Sequence, residues 1–452
     1  MEFLIIALAA VLLYVLGYKT STLVIVFFFI TNGFDLVPEE FMDTGIGFSK
    51  GVDFALIILV LLLLVGLLTK KNYLKIDTFA WYLILFYCFL VVCALNSKFS
   101  VGLSWFEMGR AGRFALLFPY YFVFRSMSKE QLTSALHICF YITLFTSCIY
   151  LLQLPLDKEL LNESETSFTD VLGYRVKRYY NQPALISFMV FMALYNNPIK
   201  GGKRHFATLI LLAAYVFAFH RSWIGFFLIA LCFGYVINLP RVSRIKVLSI
   251  IGILAIVLIL FTGHQVTNSR SFQDISKVMK GEVIDTEFDV TDLGDATFTF
   301  RIAHLAERML YISENPKTQL IGAGLIPEGS KAANQQFDFK VGLLEELTSE
   351  VIQTDTADIS YSNLFLRFGY LGTICYLLIF FYLTYYFYTK RGENKYAFVA
   401  LLFLVLSYGV SFFSANLLNP VNYLVLILAY CIVRGDNQLG INTESGIINN
   451  KR

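Results

Sequence analysis

Uncharged apolar runs of about 15 to 20 residues recur along the whole chain, and no other feature narrows its fold as much. A bilayer core takes about 20 apolar residues per helix. The runs fall near residues 2–17, 21–38, 53–69, 78–95, 111–126, 134–153, 183–196, 206–219, 223–238, 247–262, 361–389, 396–413 and 419–433. They predict an all-α polytopic membrane protein of about 12–13 transmembrane helices, with one large external loop containing short helices. Two borders leave the lower count open. The first two runs also fit a re-entrant pair, and 111–126 is short, with Gly109, Arg110, Gly112 and Arg113 at its start.

Only 15% of residues are charged and 57% are apolar, where soluble domains carry about 25% charged residues. The net charge of +3 comes without a basic patch interleaved with aromatics, so nucleic acid is not an expected partner. All seven cysteines lie in apolar runs, which predicts buried small hydrophobes rather than a disulfide framework or a thiolate metal site. Met1-Glu2-Phe3 offers no basic n-region, so the first run reads as a retained helix.

Lys and Arg in short loops set the expected orientation. Lys70-Lys71, Lys200, Lys203-Arg204, Arg241, Arg244, Lys246 and Lys390-Arg391 share one side under the 13-span count, the expected cytoplasmic side. Loops near 39–52, 96–110, 154–180, 220–222, 263–357 and 414–418 then face outward. The chain divides into an N-terminal bundle (1–262), the large external loop (263–357), C-terminal helices (358–434) and a short tail (435–452). In the loop, Glu282, Asp285, Glu287, Asp289, Asp292 and Asp295 lack the ordered oxygen spacing of a calcium loop and read as a solvated stretch. Residues 299–313 read as a helix ended by Glu314-Asn315-Pro316, since proline disfavours helix at the residue before it. Residues 331–353 read as a second amphipathic piece.

The chemistry-bearing residues gather on the outward side. Arg301, His304 and Arg308 are spaced i, i+3, i+7 and share a helix face. Two guanidinium forks and an imidazole so placed suit a diphosphate, although a solvated face has the same spacing. His220-Arg221-Ser222-Trp223 joins two apolar runs with almost no loop. An arginine there either snorkels to headgroups or serves a function, as ionisable residues in such places often do. Arg175, Lys177 and Arg178 precede Tyr179-Tyr180-Asn181-Gln182-Pro183, and Arg110 with Arg113 begins another run, where a structural role is as natural. Asp358, with Asp355 as its rival, stands just before a run as a general base or a counter-ion. No zinc-type His/Cys cluster, Ser-His-Asp spacing or phosphate-cradling P-loop occurs in the sequence.

Four of these places resemble the O-antigen polymerase and O-antigen ligase superfamily of bacterial cell-envelope glycosyltransferases. Arg175-Val176-Lys177-Arg178-Tyr179-Tyr180-Asn181-Gln182-Pro183 is similar to its Arg-x-x-Gly-x-x-x-Asn-Pro segment, with Arg178 at the glycine position. His220-Arg221-Ser222-Trp223 is similar to its Ser-Arg-x-x-Trp motif. Arg301, then Asn315-Pro316 and Gly322-Ala323-Gly324, follows its Arg, Asn-Pro, Gly-x-Gly order. Asp358-Ile359-Ser360-Tyr361 through Gly369 and Gly372 aligns without gaps on its His-Asn-Ser-Tyr…Gly-x-x-Gly segment, with Asp358 for the ligase-type histidine and Ile359 for the asparagine. The likeness covers residues 170–390.

The resemblance implies a GT-C-like polymerase of undecaprenyl-diphosphate-linked oligosaccharide repeats, of O-antigen or capsule type. It would act by inverting, metal-independent transfer without a cofactor, on the outer face of the bacterial plasma (inner) membrane. Arg221 and Arg301 would hold the diphosphate, with Arg175, Arg178 and Arg308 in support. Asp358 would orient or deprotonate the acceptor hydroxyl, with His304 as the alternative. The expected partners are the lipid-linked donor and acceptor glycans and the bilayer, with a chain-length regulator as a further one. A ligase moving glycan to lipid A-core (lipopolysaccharide) or protein is the runner-up. The rival from another class is a non-enzymatic flippase, for which charges along the middle of the spans would be expected.

Overall fold

The computed structural model describes residues 2–42, 50–69, 73–162, 166–171, 174–240, 293–342, 351–354 and 359–449. The apolar run at 247–262, the acidic stretch to Asp292, and Asp355 and Asp358 lie outside these residues, as do Lys70, Lys71, Arg241, Arg244 and Lys246.

In chain order the described helices are α1 (Glu2–Val15), α2 (Lys19–Ile30), α3 (Gly51–Thr69), α4 (Thr78–Asn96), α5 (Trp105–Gly112), α6 (Tyr120–Arg125) and α7 (Lys129–Leu156). A hairpin of β1 (Thr166–Val171) and β2 (Tyr174–Tyr179) follows, then α8 (Ile186–Tyr195), α9 (Lys203–Val216) and α10 (Arg221–Asn238). The last set is α11 (Leu293–Ser313), α12 (Pro316–Ile321), α13 (Lys331–Gln336), α14 (Ser360–Lys390), α15 (Lys395–Val410) and α16 (Pro420–Asn449). Five of the described segments are long and apolar enough to cross a membrane, and five shorter apolar helices accompany them. The chain is an all-α polytopic membrane protein.

Leucines such as Leu64 and Leu68 face outward from the bundle, as lipid contact allows. The interior is aromatic: Phe118 stacks on Tyr423 at 4.2 Å, and Tyr376 packs against Phe86 at 5.1 Å. Buried phenols give their protons to backbone carbonyl oxygens. Tyr120 donates to Ala55 at 2.6 Å and Tyr376 to Leu417 at 2.8 Å.

Described parts of several connections meet one another. The backbone oxygen of Asp35 accepts from the Asn162 amide at 2.7 Å, and its carboxylate accepts from the Ala184 amide at 2.8 Å. The Ser360 hydroxyl donates to the Ser414 carbonyl at 3.0 Å, and the Leu325 amide donates to the Ser97 hydroxyl at 2.7 Å. Asp77 caps α4 through the Ala80 amide and gathers Tyr121, Arg125 and Arg434. Lys200, Lys203, Arg204, Lys390 and Arg391 flank helix ends.

Several expectations need correction. Residues 111–126 are not one span: α5 ends at Gly112, and Pro119, which cannot donate to a preceding turn, stands before α6. The run 21–38 stops as a helix at Ile30, because Asn32, Gly33, Phe34 and Asp35 all take positive φ (47°, 69°, 58° and 65°). The connection at 154–180 carries a short two-stranded hairpin at 166–179. Within 331–353 the helix among the described residues ends at Gln336. The tail is helical through Asn449 as a continuation of α16. Cys88 and Cys232 are exposed on the outside of the bundle, Cys148 is half-buried, and the other four are buried. A helix bathed in lipid can turn small apolar side chains outward at no hydrophobic cost.

The long helix α14 breaks at Gly369, whose φ is 62° and ψ −166°. The break receives the turn Gly322-Ala323-Gly324. The Ala323 amide donates to the Leu366 carbonyl at 2.7 Å, and the Gly324 amide donates to Arg367 at 3.1 Å. A Cβ on Gly322 would stand 2.5 Å from the Arg367 carbonyl carbon, so only glycine admits this approach. The glycine run therefore serves the scaffold: it fixes the upper half of α14, residues 360–368, against segment 322–324.

Candidate functional site

The site begins at the turn between α9 and α10. Phe219 takes φ 52°, which reverses the chain within a few residues. His220 is extended and caps α10, and Arg221 is its exposed first residue. Strand β2 lies alongside, with Arg178 opposite Ser167 in the hairpin register. The Arg178 Nε donates to the Ala218 carbonyl at 2.9 Å, and a terminal nitrogen donates to the Nδ1 of His220 at 2.6 Å. Its guanidinium also lies 4.3 Å from the Tyr180 ring centre. One side chain thus ties the hairpin to the turn.

Arg301 arrives from α11. Its guanidinium sits 5.8 Å from the centre of the Phe413 ring, and that ring is 5.9 Å from Phe226 of α10. Three guanidiniums from three separate elements share one neighbourhood. Burial lowers the pKa of Arg178, and the fields of Arg221 and Arg301 lower it further. Burial, then Arg178 and Arg301, pushes His220 down to about 3, so its imidazole is neutral near pH 7. Guanidinium forks match the paired oxygens of phosphate.

His304 faces α14 one turn along from Arg301. It is 2% exposed, with Nδ1 3.0 Å from the Ser362 hydroxyl. Its Nε2 is buried and has no hydrogen-bond partner among the described residues. Burial, with Arg308 adding to it, pushes His304 down to about 3. A neutral, oriented imidazole with a spare nitrogen is suited to hold a hydroxyl group.

Arg308 departs from the expectation. It is 1% exposed, pairs with Glu307 at 2.6 Å, donates to the Val341 carbonyl, and lies 4.2 Å from the centre of the Phe339 ring. Glu307 in turn accepts from the Lys340 and Val341 amides at 2.7 and 3.2 Å. Arg308 clamps segment 339–341 onto α11 instead of joining Arg178, Arg221 and Arg301. Three residues before Arg178 along β2, Arg175 stands opposite Asp170 in the hairpin register, and its side chain is outside the described set. Lys177 pairs with Asp157 at 3.0 Å. Asn181 exchanges amide hydrogen bonds with Gln153 at 3.1 Å, a structural use of the Asn-Gln-Pro stretch.

Ser362, Phe413 and Phe219 were not foreseen. Ser362 meets His304 across 58 positions, and no local spacing announces such a pair. Phe219 carried one weak signal, the absence of loop residues between two apolar runs. Among the described residues no group of three or more His, Cys, Asp or Glu side chains is placed to hold a metal ion. Neither the protein-family models nor the curated proteins contain a match to this chain.

Proposed function

We propose that the chain is a polymerase of polyprenyl-diphosphate-linked oligosaccharide repeats, acting on the outer face of a bacterial plasma membrane. The observation that supports it is that Arg178, from the hairpin, bonds His220 beside Arg221 at the start of α10, with Arg301 near enough for its field to reach both Arg178 and His220. An acceptor hydroxyl attacks the anomeric carbon of the donor glycan. The bond from that carbon to the diphosphate oxygen breaks, and its electron pair leaves with the lipid diphosphate. The guanidiniums offset the charge that grows there. The hydroxyl proton passes to a base and then to water.

Asp358 is assigned as that base. It directly precedes Ile359, the residue that caps α14. His304, kept neutral by burial, hydrogen-bonds and orients the acceptor hydroxyl from the third residue's side of the same helix, where Ser362 holds it. A group with a pKa near 3 is a weak proton acceptor, which favours the carboxylate for proton transfer.

The test is a reconstituted reaction of the purified chain with synthetic undecaprenyl-diphosphate oligosaccharide, resolved by product length. A ladder on the same lipid carrier, made without an ion gradient and without lipid A-core, supports the polymerase. Glycan found only on a new acceptor would make the chain a ligase. Lipid-linked sugar that crosses vesicles unextended would make it a flippase.

A further inference from the structure

A cation-lined cavity of about 600 Å³ opens beside the upper half of α14. Among the described residues, Lys50, Arg110, Arg113 and Arg367 line it, with the carboxylate of Glu328 on the same wall. Asn32, Asn363 and Asn419 add amide groups. Ser362 turns to His304, while Asn363 and Arg367 line the cavity.

The sequence builds this wall deliberately. Ser104 and Glu107 form a reciprocal capping box that starts α5. Arg110 then falls one turn inside the helix, and Arg113 follows three residues later. Arg113 pairs with Asp53 at 3.8 Å. Arg367 is 6% exposed. It donates to the Ala111 carbonyl and rests 5.7 Å from the centre of the Phe114 ring. The Glu328 carboxylate stands as a counter-charge to it across the cavity. Asn32 reaches the wall from the left-handed run at 32–35, a conformation that costs about 1–2 kcal/mol per non-glycine residue. That run is held by the Thr31 hydroxyl, which accepts from the Phe34 amide at 2.9 Å, and by the Asp35 bonds to Asn162 and Ala184. Strain of this kind, held from three directions, marks a place where side-chain position matters.

We propose that this cavity is a second oxyanion site, and that it takes the diphosphate group of the acceptor lipid. The assignment rests on the polymerase reading, in which both substrates carry a lipid diphosphate and one anion site cannot hold both. Glu328 also borders a neighbouring cavity of about 500 Å³ with Asn334, Asp338 and Gln353. A glycan attached to an oxyanion in the first cavity would meet polar side chains there.

The test measures binding, not turnover, on the full chain in nanodiscs. Undecaprenyl diphosphate is titrated against the wild type, Lys50→Gln/Arg110→Gln, and Arg221→Gln. Wild type should bind two lipids per chain, and each variant should lose one by about tenfold or more in affinity. Arg110→Glu, at an exposed position, should repeat the loss with unchanged melting temperature. Two lipids on both cavity variants would overturn the proposal. A parallel titration with inorganic pyrophosphate separates the sources. Pyrophosphate binding that is lost in the cavity variants while two lipids still bind would assign the cavity to a free phosphate and overturn the acceptor role. The polymerase reading fails on a different result: a wild type that binds two lipids and never lengthens glycan leaves this site standing.

Discussion

Arg178 donates to Nδ1 of His220 at 2.6 Å, and that contact fixes the proton on the imidazole. A guanidinium has only donors, so Nδ1 must accept and the proton sits on Nε2. The buried, arginine-flanked ring therefore presents an N–H to its surroundings while carrying no charge. Removing Arg178 should loosen this arrangement without abolishing it, because burial is the larger cause of the depressed pKa. Arg178→Gln is expected to raise the His220 pKa above about 3 yet leave it below the ordinary 6.5, as read by NMR of labelled histidine.

Arg221→Ala and Arg301→Ala should each abolish polymer at unchanged protein level. Arg→Lys at either position should rescue poorly, since an ammonium cannot offer paired donors in one plane. Normal polymer length in both alanine variants would remove the diphosphate clamp.

Asp358→Asn should cut turnover by about a hundredfold or more while lipid affinity stays at the wild-type value. His304→Gln should cost less in turnover and raise the acceptor KM, because an amide keeps a hydrogen bond but not the ring geometry. Unchanged turnover in Asp358→Asn would leave that carboxylate as a counter-ion.

Stability should depend on pH through the two buried imidazoles. Both have folded-state values near 3, below the ordinary 6.5. Between those values the unfolded chain binds more protons than the folded one. Their contribution is therefore fully present above about pH 6.5 and is lost as pH falls towards 3. Melting temperature should drop between pH 6.5 and 4.5, and the drop should be shallower in His304→Gln. A bound diphosphate stabilises imidazolium at His220, so pyrophosphate binding near pH 5 should take up protons. Calorimetry in buffers of differing ionisation enthalpy reads that uptake.

Gly322→Ala should lower the melting temperature strongly. The added Cβ meets the Arg367 backbone, and φ 67° is strained for alanine, at a cost of about 1–3 kcal/mol from the dihedral alone. Gly392→Ala, with open space around its Cβ, is the matched control and should be near neutral.

The helical class was legible in the sequence, because hydropathy and proline report directly on what lipid and helices tolerate. Arg178, Arg221 and Arg301 were legible as candidates for the same reason: arginines are conspicuous beside apolar runs. Their company was not. His304 finds Ser362, and Arg301 finds Phe413, through contacts between distant segments that leave no periodic trace. Arg308 shows the opposite failure. Helical spacing put it on the face of Arg301 and His304, but the return of 339–341 over α11 captured it first. The glycines at 322 and 324 were read as part of a motif, and their physical task became visible only beside the break at Gly369.

That break bears on what a broken helix needs inside an apolar bundle. A helix interrupted within hydrocarbon normally strips carbonyl groups of their donors, which lipid cannot replace. Here the Ala323 and Gly324 amides fill the places that α14 leaves vacant at Leu366 and Arg367. The seam is closed by backbone from elsewhere in the chain, so polar residues on the upper segment sit on a rigid floor with no water needed beneath them.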